Sequence, residues 1–95
     1  MLAASPRAQA AVHRPFLSRA LAERAITAYE HGYWKAQGMT VKVDHCQRHS
    51  ALQVTCLAEA AKQGETVIVQ DWATLLPHEI VRIHPGSETT TITME

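Results

Sequence analysis

Both cysteines and two of the six histidines of this 95-residue chain fall in one short stretch, Asp44-His45-Cys46-Gln47-Arg48-His49-Ser50, followed by Cys56. Cys46 and His49 have the two-residue spacing that lets a turn direct a sulfur and a nitrogen at one ion, and zinc takes such donors. They are the candidate metal ligands, with zinc as the only cofactor the chain suggests. A closed structural site needs four ligands, and no second pair follows. Cys56 is the tempting third ligand, yet in a helix it lies seven residues beyond His49, a rise of about 10 Å. Donors bound to one zinc sit within roughly 4 Å of each other, so a helix through this region and a shared site exclude one another.

Nucleophilic catalysis by Cys46 would need a base held by a third group and an oxyanion hole, and the chain shows neither pattern. Adjacent strand residues point to opposite faces, which sets His45 away from Cys46. Gly32, Gly38, Gly64 and Gly86 stand alone, so no phosphate-cradling loop or dinucleotide fingerprint exists. The reading is of a non-enzymatic protein.

Nine basic and nine acidic residues cancel, so no global field draws the chain to nucleic acid or to an anionic membrane. The balance is uneven along the chain. Residues 1–35 carry five basic against two acidic side chains, and residues 36–95 carry four against seven. Arg7, Arg14, Arg19, Arg24 and Lys35, with Tyr33 and Trp34 beside them, supply the alternative of a nucleic-acid-binding or zinc-binding regulator using Cys46, His49 and the basic N-terminal helix. Interleaved acids make a solvated helical face the simpler account. No apolar run approaches the roughly 20 residues of a membrane-spanning helix. Two cysteines do not make a disulfide framework, and a reducing cytoplasm is the expected setting.

The elements that must position these residues follow from periodicity. Residues 1–14 read as a flexible arm, and residues 15–95 as a single α+β domain. Pro15 suits the opening of a helix that runs to about Gln37 and ends at Gly38. Leu21, Ala22, Ala25, Ile26, Tyr29 and Tyr33 form its apolar stripe, while Glu23, Thr27, Glu30 and His31 face away. Val41, Val43 and His45 alternate inward along a strand from Thr40. Residues 50–63 fit a helix capped by Ser50 and stopped by Gly64, and they also alternate as a strand. Thr66 to Gln70 reads as a central strand closed by Asp71-Trp72. Glu79 to His84 is a third strand, Pro85-Gly86 a type II turn, and Thr89 to Met94 an edge strand with Ile92 and Met94 inward.

The expected fold is a long N-terminal helix followed by β-α-β-β-β, a four-stranded mixed sheet with helices packed on one face. The alternative is an antiparallel meander against one long helix. A chain with little core, an exposed sheet edge and two tryptophans points to protein-protein contacts, with a homodimer or another protein as partner. Tyr33, Trp34, Thr89, Thr91 and Thr93 are the candidate interaction residues.

Overall fold

The computed structural model describes residues 15–92. One helix, α1 (Arg19–Trp34), precedes four strands, β1 (Thr40–Ser50), β2 (Gln53–Lys62), β3 (Glu65–Leu76) and β4 (Ile80–Ile92). The strands pair in sequence order, every neighbour antiparallel. The chain is therefore an α+β fold, and the meander is the form it takes. The expected arm 1–14, Thr93 and Met94 lie outside the described residues.

Residues 50–63 are not helical, which corrects the expected crossover. β2 sets Val54, Cys56, Ala58 and Ala60 into the core and turns Gln53, Leu57, Glu59 and Ala61 toward the other face. Alanines favour a helix only by tenths of a kcal/mol. A central strand paired along its length on both sides outweighs that preference. Small side chains on its inner face also leave room for α1 to lie close.

The last two expected strands are one. Pro85 and Gly86 do not turn the chain back but sit within β4, where the register with β3 shifts between Val69 and Asp71. β4 is an edge strand, which is where a proline can sit within a sheet. Gly86 is required by close approach. A Cβ at this position would lie 2.9 Å from the Gln70 carbonyl oxygen and 3.1 Å from Trp72 Nε1. Backbone cannot yield as a flexible side chain would, so Gly86→Ala should lower stability by about 1–3 kcal/mol. Urea unfolding of the variant measures this, and an unchanged midpoint would refute it.

Helix α1 begins where Ser18 Oγ accepts a hydrogen bond from the Leu21 N–H at 3.1 Å, an ordinary N-cap. The residues before it are tied to the sheet. Leu17 donates its N–H to the Ala51 carbonyl at 2.9 Å, the Arg48 guanidinium donates to the Leu17 carbonyl, and the same guanidinium lies 4.2 Å from the Phe16 ring centre. The helix ends in a short 3-10 turn, Lys35–Gln37, and Gly38 takes the left-handed conformation at φ 73°.

The buried stripe of α1 is rotated from the expected one. Ala22, Ile26, Glu30 and Trp34 are buried, whereas Leu21, Tyr29 and Tyr33 are exposed. This corrects the placement of Glu30, an acid expected in solvent. The core divides into two clusters. Leu17, Ala22, Ile26, Val54, Cys56 and Ala73 form one, and Trp34, Met39, Ala60, Val67 and Val69 the other. Glu30 falls between the two clusters along α1, and Asp71 falls between them along β3.

Candidate functional site

The cysteine-histidine stretch is taken apart by a bulge. The pairing of β1 with β2 slips between Asp44 and Gln47. There His45 adopts φ 53° and turns to solvent, with its Nδ1 2.7 Å from Asp44 Oδ1. His45 was expected inward with the valines. The extra residue reverses the alternation, as bulges do, and Cys46 takes the inward place.

Cys46 and Cys56 form a disulfide between β1 and β2, their Cα atoms 4.0 Å apart. The bridge packs into the first core cluster, so the sulfur of the candidate ligand Cys46 is bonded to Cys56. His49 lies on the opposite face of the sheet. Its Nε2 meets Thr55 Oγ1 at 2.9 Å, and its ring centre is 4.6 Å from that of Trp72. The structure does not bring Cys46 and His49 to one point. Among the described residues no group of three His, Cys, Asp or Glu side chains could hold a metal ion. Disulfides belong to oxidising surroundings and are rare in the cytosol, so this bond bears directly on the expected reducing setting.

Residues that sequence reasoning missed converge at the centre of the core. Glu30 is 3% exposed and Asp71 0%, and Glu30 is the neighbouring acid that acts on the Asp71 carboxyl. Trp34 Nε1 donates to Glu30 Oε1 at 2.7 Å. Neither Asp71 oxygen has a donor among the described residues. Burial above all, and then the hydrogen bond and the charge of Glu30, push the Asp71 carboxyl up to about 8. The proton that Asp71 retains can be donated to Glu30, which is how two facing acids are accommodated away from water. One signal was present in the sequence: Ala22, Ile26, Glu30 and Trp34 follow one another every four residues.

The candidate interaction residues also separate. Tyr33 is 60% exposed, but Trp34 is 7% exposed and its indole N–H is committed to Glu30. Thr89 and Thr91 lie on β4, paired with Ile68 and Thr66 of β3, and both are exposed. They sit on the sheet face that α1 does not cover. That face also carries Trp72, whose ring lies between those of His49 and His84. Ile68 shares it, exposed, with Leu57 and Leu76 half-buried.

Among the described residues these elements define a one-layer sheet with one covering helix and a buried acid pair between them. No helix among the described residues is long and apolar enough to cross a membrane. Comparison with known proteins finds no matching family model, no matching curated protein and no matching solved structure.

Proposed function

We propose that this chain is a protein-binding module that associates with a second copy of itself by pairing its β4 edges. The observation that carries the reading is the outer half of β4, where Glu88 is the one charge. Ser87, Glu88, Thr89, Thr90 and Thr91 are consecutive, exposed and extended, with no lysine or proline among them. Natural edges are usually blunted by charge, proline or bulges. The opposite edge, β1, has such guards: two register shifts and the charges of Lys42, Asp44 and Arg48. The first half of β4 is interrupted by Pro85 and its bulge. The Ser87 to Thr91 run alone invites a strand.

Antiparallel pairing of β4 with its own copy is isologous, so it closes as a dimer and leaves no free repeat of the same contact. It would also join the two uncovered faces around Ile68 and Trp72 into one surface. Zero formal net charge leaves the copies without the mutual repulsion that keeps proteins apart. No catalytic group takes part in this reading.

Light scattering coupled to size exclusion tests it. Wild-type protein at tens of micromolar should give the mass of a dimer, and Thr89→Lys/Thr91→Lys should give a monomer with an unaltered circular dichroism spectrum. A wild-type monomer, or a dimer that survives both lysines, would sink the proposal.

A further inference from the structure

The sheet face that α1 leaves open carries a line of rings. Gln47, Thr55, Trp72 and His84 are cross-strand neighbours on β1, β2, β3 and β4. His49 joins them from β1, where the register shifts a second time, between Arg48 and Ser50, and bulges re-aim side chains in this way. The Trp72 ring centre is 4.6 Å from that of His49 and 6.3 Å from that of His84, the latter pair within 6° of parallel. Both histidines are exposed and Trp72 is half-buried. The rings are also held. Buried Thr55 meets His49 Nε2 at 2.9 Å, and the Gly86 backbone comes so near Trp72 that a Cβ there would lie 3.1 Å from Nε1. Rings fixed in advance lose little freedom when something binds them.

The charge beside these rings has one sign. The next row across the sheet is Gln53, Thr74 and Arg82, and Arg82 is exposed with no carboxylate at ion-pair distance among the described residues. The acids of this face, Asp44 and Glu59, stand in other rows, opposite Leu57 and Lys42. Asp44 is engaged by Lys42 and His45. Flat rings next to a free guanidinium match a flat base and its phosphate, whereas a neutral ligand would leave Arg82 unused. The site is a platform and not a pocket, for neither cavity of the fold is lined by Trp72, His49, His84 or Arg82. A small free ligand needs walls, and a strand crossing an open face gathers several modest contacts instead. Four strands span about 14 Å from β1 to β4, and a platform of that kind takes two or three bases.

We propose that this face binds single-stranded nucleic acid, with bases stacked on the His49, Trp72 and His84 rings and a phosphate on Arg82. Zero formal net charge makes the attraction local, so the affinity is modest and its salt dependence shallow. The platform is separate from the Ser87 to Thr91 edge, and neither proposal depends on the other.

A thymidine octamer tests the proposal, with proton–nitrogen NMR reading the indoles of Trp34 and Trp72. The Trp72 signal should shift saturably, with a dissociation constant tighter than about 1 mM at roughly 50 mM salt. The Trp34 indole, bonded to Glu30, should stay in place. His84→Ala and Arg82→Gln alter exposed side chains and should leave the fold intact. The first should weaken binding about fivefold through lost stacking. The second should weaken it about threefold and make the log–log salt slope shallower by about 0.7. Thymidine monophosphate should bind at least about tenfold more weakly than the octamer, since it gathers fewer contacts. An end-blocked oligoglutamate of the octamer's charge should leave Trp72 unmoved. An equal response to oligoglutamate would assign the face to acidic peptides and overturn the proposal. So would a monophosphate as tight as the octamer, a response that does not saturate, or both variants binding as wild type does.

Discussion

Asp71→Asn should raise the stability of this protein at neutral and alkaline pH, and the gain should vanish in acid. The sign follows from linkage. Asp71 titrates near 8 in the folded chain, against an ordinary value of 3.8, so between roughly pH 4 and pH 8 the folded state holds a proton that the unfolded state has released. Stability therefore falls as pH rises through that window, by about 1.4 kcal/mol per unit for a single group, and levels off above it. Burial is the main cause and Glu30 the second. Asparagine has nearly the same shape, keeps a donor for Glu30 and does not ionise. The difference between variant and wild type, measured by urea unfolding at several pH values, should be small near pH 4 and reach several kcal/mol by pH 8. Taking that difference removes the contribution of the other titrating groups. Parallel pH profiles for the two proteins would refute the assignment of a protonated Asp71.

Loss of the Cys46–Cys56 bridge is the other large effect. The bond closes a loop with a sequence separation of 10, and a crosslink of that length stabilises by about 2–3 kcal/mol through the entropy it removes from the unfolded chain. In a domain this small that corresponds to about 10–20 °C in melting temperature. Cys46→Ala/Cys56→Ala should show the whole loss. Reductant should bring wild type down to the same value and leave the double variant unmoved. An unchanged melting temperature in the double variant would mean that the bridge adds nothing. The bridge also lies at the β1 bulge, so without it the exposed, left-handed His45 should become the first part of the sheet to exchange its amides.

Much of the scaffold was legible before any coordinates. The stop at Gly38 and the inward valines of β1 were visible because they are local: a glycine that tolerates positive φ and a period of two are properties of a few adjacent residues. The strand count of four was also legible, although by a compensation. The segment expected as a helix became β2, and the two strands expected around Pro85-Gly86 merged into β4. Both differences have one physical source. Helix preference in alanines is worth only tenths of a kcal/mol per residue, and pairing with a neighbour strand decides against it, as it does against the Pro-Gly turn.

The site was much less legible. Glu30 read as a solvent residue because a charged side chain on a helix ordinarily is one, and nothing near it in the chain names Asp71 as its partner. The cysteines and histidines looked like one cluster because they are close in sequence. Strand geometry alternates faces, and a one-residue bulge reverses that alternation.

By itself, then, the sequence determined an α+β chain with a helix first, a sheet after it, balanced charge and a threonine-rich last strand. Only the tertiary structure decided that Cys46 meets Cys56, that His49 parts from them, and that two acids distant in sequence share the centre of the core. Local preferences depend on neighbours along the chain, whereas a disulfide, a face and a shared proton depend on which segments the sheet brings side by side.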